Sequence, residues 1–141
     1  VQGGALGKRK GELVILRVAI HMKAWYEWGS HVERGLACGL SREEIERVKL
    51  GDNAEGWEKD EALLLSAIDE LIATHGLSPA SHAQLRVHFS VQQIMDIIAI
   101  HGMYVILGCM INTWGLELDA HVQDKLPDGV TRLAFEASYP R

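Results

Sequence analysis

Apolar side chains recur at spacings of three and four along most of the chain, the period of helices with one buried face. In residues 12–22, Leu13, Leu16, Val18, Ala19 and Ile20 surround Arg17, which predicts a first helix. A second is expected over 25–38, ending at Gly39, where glycine takes the left-handed conformation at least cost. Ser41-Arg-Glu-Glu44 has the form of a capping box and predicts a short helix to about Val48. Residues 51–56 read as a polar loop. Residues 58–75 make the clearest amphipathic stretch, with Leu64, Ala67, Ile68, Leu71 and Ile72 on one stripe and Gly76 expected to stop it. Ser78-Pro79 supplies an N-cap and a proline for the first helical position of a segment reaching Phe89. Ser90 opens a long apolar helix to Trp114, closed by Gly115. Past Leu118 the period fades, so residues 119–141 are expected to be an irregular tail, and residues 1–10 a basic, glycine-rich lead-in. No segment alternates with the period of a strand. The expected fold is one all-α domain over 1–141.

The long helix is apolar on nearly every side. Neighbours could surround it, or a second copy could cover its outer face, so a homo-oligomer is one expectation. Asp96, His101, Gly102 and Gly108 interrupt its apolar run, which argues against a membrane span. The chain begins at Val1, as a processed or truncated form would, and its first ten residues hold no apolar run like that of a signal peptide. A soluble, cytoplasmic, reduced protein is expected. With 141 residues, 48% of them hydrophobic, the chain can bury a core. Its net charge of -5 argues against a nucleic-acid partner, which would call for a basic face. Two distant cysteines, Cys38 and Cys109, exclude a disulfide scaffold and a cysteine-rich zinc site.

Candidate chemistry concentrates in Trp25-Tyr-Glu-Trp-Gly-Ser-His31. Glu27 and His31 are four apart, so on a helix they share a face and can touch. A carboxylate beside an imidazole favours the charged ring, while desolvation opposes both charges, and together they can tune an acid/base pair. The same spacing also suits an ordinary helix-surface pair. Trp25, Tyr26 and Trp28 beside them suggest an aromatic-walled pocket for a weakly charged ligand. No metal site is expected: there is no H-E-x-x-H, and His75, His82, His88 and His121 look like helix-end or surface residues. His101 reads as a core histidine. Neither a phosphate-binding glycine loop nor a nucleophile elbow is present.

Three blocks, Glu12-Leu-Val-Ile-Leu-Arg17-Val-Ala, Tyr26-Glu-Trp-Gly-Ser-His31-Val and Gly39-Leu-Ser-Arg-Glu-Glu-Ile45, resemble the carboxymuconolactone decarboxylase family. Its superfamily also holds the AhpD-like alkylhydroperoxidases. Residues 62–71, Gly102-Met-Tyr104 and Asn112-Thr-Trp-Gly-Leu116 extend the resemblance, which covers about residues 3–119. It implies an AhpD-like helical bundle assembled as trimers or hexamers, with active sites near subunit contacts and no cofactor. The peroxidase branch carries a C-x-x-C pair ahead of its histidine. Aligned on His31, those cysteines fall at Ala24 and Glu27, and the branch's upstream glutamate falls at Glu12. Both thiols are therefore missing, and family-type thiol peroxidase activity is not expected.

The decarboxylase branch resembles the chain better, since it too has a glutamate four residues before the histidine. The resemblance implies a small-molecule substrate that loses CO2, leaving a dienolate to be protonated at carbon. His31 would be the acid, Glu27 its partner, and Glu12 a proton relay. Arg17 would hold a carboxylate, unless it pairs with an acid such as Glu12. Trp28, Tyr104 and Asn112 complete the expected binding residues. The sequence departs from decarboxylases proper around the histidine, where Trp28, Gly29, Ser30, Val32 and Glu33 replace more basic residues. An isomerase or dehydratase of an apolar metabolite is the second reading, and a non-catalytic oligomeric protein the third.

Overall fold

The computed structural model describes residues 4–138. Eight helices run through them: α1 (Lys8–Met22), α2 (Trp25–Ala37), α3 (Arg42–Val48), α4 (Lys59–Thr74), α5 (Pro79–His88), α6 (Val91–Trp114), α7 (Ala120–Gln123) and α8 (Arg132–Ala137). A 3-10 turn lies at Gly51–Asn53, inside the expected polar loop, and no strand occurs among the described residues. The all-α expectation holds. The first three residues of the lead-in and the last three of the tail lie outside the described residues.

The helix surrounded by neighbours is α1, not the more apolar α6. Leu13, Val14, Ile15, Leu16, Val18, Ala19 and Ile20 are each at most 2% exposed. They are covered by α2, α4 and α6, with α3 closing one side. Burying seven such side chains is the main force assembling the bundle, at roughly 1.5–3 kcal/mol for each large aliphatic group. In contrast, α6 buries Ile94, Ile97, Ile100, Tyr104 and Ile111 on one face and leaves Met95, Met103, Ile106 and Met110 exposed on the other.

Most helix ends follow the local chemistry of the sequence. Ser41 and Glu44 form the expected reciprocal box: Ser41 Oγ accepts from the Glu44 N–H at 3.1 Å, and Glu44 Oε1 accepts from the Ser41 N–H at 2.9 Å. Ser90 and Gln93 repeat this at the start of α6. Ser78 caps α5 with Pro79 at its first position, and Gly115 ends α6 with φ +62°. Two ends differ from expectation. The left-handed residue closing α4 is His75, φ +65°, rather than Gly76, and its N–H donates to Leu71 O at 2.9 Å. The first helix starts at Lys8 instead of Glu12, so the lead-in is partly helical.

The tail is also more ordered than expected. Both α7 and α8 pack on α2. Phe135 of α8 is 1% exposed, with its ring 5.9 Å from that of Trp25 and 5.5 Å from that of Trp28. A six-residue helix cannot hold itself together in water. It forms here because one aromatic anchor is buried against two tryptophans.

Candidate active site

A cavity of about 350 Å3 opens between α1, α2 and α6. Its lining follows helical spacing: Lys8, Glu12 and Ile15 come from one face of α1, and His31, Arg34 and Cys38 from α2 and its C-cap. Tyr104 of α6 completes the wall. A larger depression of about 760 Å3 lies over α3 and includes Arg42, Glu43, Glu46 and Arg47, but it holds no histidine. The smaller cavity is the one that brings His31 and Glu12 together.

Its centre is the contact between Nδ1 of His31 and Oε2 of Glu12, at 2.6 Å. A carboxylate can only accept, so Nδ1–H donates to it, and the ring is held with Nε2 free for a ligand. His31 is 5% exposed, and its ring meets Tyr104 edge-on with centroids 5.2 Å apart. Packing and a short polar contact therefore fix the imidazole from two directions. Burial raises the pKa of Tyr104, and the charge of Glu12 adds to this while Arg34 opposes it. Burial and then Glu12 likewise raise Cys38. At neutral pH both groups keep their protons: Tyr104 can donate into the cavity, whereas the Cys38 thiol donates to Gly35 O at 3.3 Å and is poorly disposed to act as a thiolate.

The expected Glu27–His31 pair does not form. Both residues lie on the core-facing side of α2, but the carboxyl of Glu27 is 2% exposed and neither of its oxygens has a hydrogen-bond partner. Burial pushes its pKa up to about 8, so it is mainly neutral at pH 7. Glu12, expected only as a relay, is the residue that touches the imidazole.

Other expected binding residues are placed elsewhere. Arg17 reaches Asp69 through Nε at 2.7 Å and Nη2 at 3.2 Å, and donates through Nη1 to Val48 O and Lys49 O at 2.9 and 3.0 Å. It ties α1 to α4 and to the end of α3, and its ion-pair partner is Asp69 rather than Glu12. Trp28 is 1% exposed and belongs to the core, and the aromatic wall that does form, Trp25 with Tyr26, faces a separate small cavity and not His31. Asn112 donates to Met22 O at 2.6 Å and, with Tyr26, lines a separate small cavity. Of the expected binding residues, Tyr104 alone reaches the His31 cavity. His101 is half-buried rather than a full core residue, and burial lowers its pKa.

Lys8, Arg34 and Cys38 are not among the expected site residues. Helical spacing could have found them, because Lys8 is one turn before Glu12, and Arg34 and Cys38 are three and seven residues after His31. Among the described residues, no three His, Cys, Asp or Glu side chains converge as metal ligands.

Residues 1–69 match the carboxymuconolactone decarboxylase family. The match contains α1, α2 and α3, and hence every residue lining the cavity except Tyr104. No curated protein matches the chain. The family match and the cavity thus coincide in the same two helices, although the tail helices and α6 lie beyond the matched residues.

Proposed function

We propose that the chain is a cofactor-free acid/base enzyme of the carboxymuconolactone decarboxylase type, acting on a small unsaturated lactone acid or related cyclic acid. The observation that carries this reading is the Glu12–His31 contact at the wall of a cavity that also presents Lys8 and Arg34. These two cations suit a ligand bearing a carboxylate. They favour a charged ligand over the weakly charged one that the aromatic residues suggest, and so a lactone acid over an apolar metabolite.

In this reading the ligand carboxylate sits against Lys8 and Arg34, and Tyr104 donates a hydrogen bond to a neutral oxygen. The bond between the ring carbon and the departing carboxyl breaks, and its electron pair moves into the conjugated lactone carbonyl. His31 Nε2 then delivers a proton to carbon, while Glu12 holds the ring and balances its charge while it is protonated. Glu27 lies behind this constellation as a neutral acid and does not orient the histidine. The working form is a homo-oligomer.

The test is CO2 release from a panel of unsaturated lactone acids by wild type, His31→Gln and Glu12→Gln. Wild type should release CO2, with His31→Gln slower by about a hundredfold or more. Glu12→Gln should be slowed by roughly tenfold or more, because a glutamine no longer balances ring charge. No release from any substrate, or undiminished release by both variants, would remove the decarboxylase reading.

A further inference from the structure

We infer that the exposed face of α6 is a two-fold contact with a second copy of this chain, centred on Gly102. This deepens the homo-oligomer reading above by naming the surface and its symmetry.

Three observations meet on this helix. Met95, Ile98, Met103, Ile106, Met110 and Trp114 are between 44% and 71% exposed. Together they offer an area on the order of 700 Å2, near the roughly 800 Å2 per partner of a standard interface and above the largest patch of most monomers. No charged side chain interrupts the face: the single acid of α6, Asp96, is turned inward and accepts from the Leu6 N–H at 3.1 Å.

The second observation is Gly102 itself. A glycine in mid-helix weakens the helix relative to alanine. Nothing in the chain requires it, because a Cβ placed there would meet no atom within 4 Å. By contrast, a Cβ at Gly108 on the same helix would meet Met22 side-chain atoms at 3.0 to 3.2 Å. Gly108 is explained by the close approach of α1, and Gly102 would be explained by an equally close approach from outside.

The third is spacing. Met95, Ala99, Gly102, Ile106, Cys109 and Thr113 follow one another at alternating steps of four and three, the period of a helix–helix seam, and none of them is buried. Ala99 and Gly102 form a notch of small residues flanked by Met95 and Ile106, so the same seam on a second copy is complementary when the two cross near Gly102. An isologous contact of this kind requires only one patch to fit itself.

A lipid surface is the competing occupant, since α6 is long and apolar enough to cross a membrane. However, its other face is bundle core and carries Tyr104 into the candidate site. Acyl chains also have no use for a glycine notch at the centre of the patch.

Sedimentation of the full chain at tens of micromolar tests the contact. Wild type should form an assembly with an even number of chains. Gly102→Leu should lower the assembly mass at least twofold with helix content unchanged, because the added side chain meets open space within one copy. In a Cys38→Ser, Cys109→Ser background, Gly102→Cys should form a disulfide-linked dimer under mild oxidation, which needs Cα atoms within about 7 Å. A monomeric wild type overturns both this inference and the oligomer reading. An odd-numbered assembly, an unchanged mass for Gly102→Leu, or no cross-link overturns the two-fold contact alone. A wild-type monomer that floats with phosphatidylcholine vesicles overturns it in favour of lipid.

Discussion

Burial without a partner pushes the pKa of Glu27 from 4.5 up to about 8, and that shift has a sign in stability. The folded chain holds this proton more tightly than the unfolded chain, so stability falls as pH rises through the interval between those two values. The steepest loss is about 1.4 kcal/mol per pH unit. Glu27→Gln keeps the shape of the neutral acid and removes the titration. Urea unfolding at pH 5 and pH 8 should therefore show wild type losing roughly 2–4 kcal/mol relative to the variant across that window. A constant difference would mean that Glu27 is solvated in the fold. Activity of Glu27→Gln at pH 7 should stay within about threefold of wild type, since the group replaced is already neutral there. The sequence put Glu27 and His31 on one helix face, which the structure bears out. Which of two glutamates meets the ring was not legible, because Glu12 arrives from another helix and periodicity within one helix says nothing about that.

At the scale of elements, caps were the most legible features and the tail the least. Ser41, Ser78 and Ser90 act through atoms within three residues, so their role is written locally. The C-terminal helices owe their shape to distant partners: Phe135 is held by Trp25 and Trp28, more than a hundred residues earlier. Phe135→Ala should cost about 3 kcal/mol and change the near-ultraviolet circular dichroism of the tryptophans. A melting curve and spectrum identical to wild type would show that α8 is not docked. Arg17 is a similar case. Its sequence neighbourhood allowed either a ligand role or an ion pair, and only the approach of α4 with Asp69 decided it. Asp69 also lies 2.6 Å from His21 Nε2, and although burial works against its charge, hydrogen bonds from His21 and Arg17 keep its pKa below the ordinary value.

At the scale of the whole molecule, three helices line a cavity whose exposed cations, Lys8 and Arg34, both come from the family-matched half. A small carboxylate that binds there stabilises only the folded state, by about 2.7 kcal/mol at a hundred times its Kd. Wild type should accordingly melt several degrees higher with a lactone acid, and Lys8→Ala, Arg34→Ala should lose most of that gain. An equal gain in the double variant would place the ligand outside the cavity. The same bundle leaves α6 half-covered, and the seam at Gly102 is where assembly would act.

Helical periodicity, cap residues and the order of the family-like blocks are properties of nearest neighbours along the chain, and by themselves they determined the all-α class, six of the eight helices and the neighbourhood of the site. Contacts between helices are set by how several apolar stripes pack at once, with no signature in any single stripe. Tertiary structure alone therefore decided that Glu12 takes His31, that Arg17 is spent on Asp69, that the tryptophans become core, and that α1 sits at the centre while α6 keeps an open face.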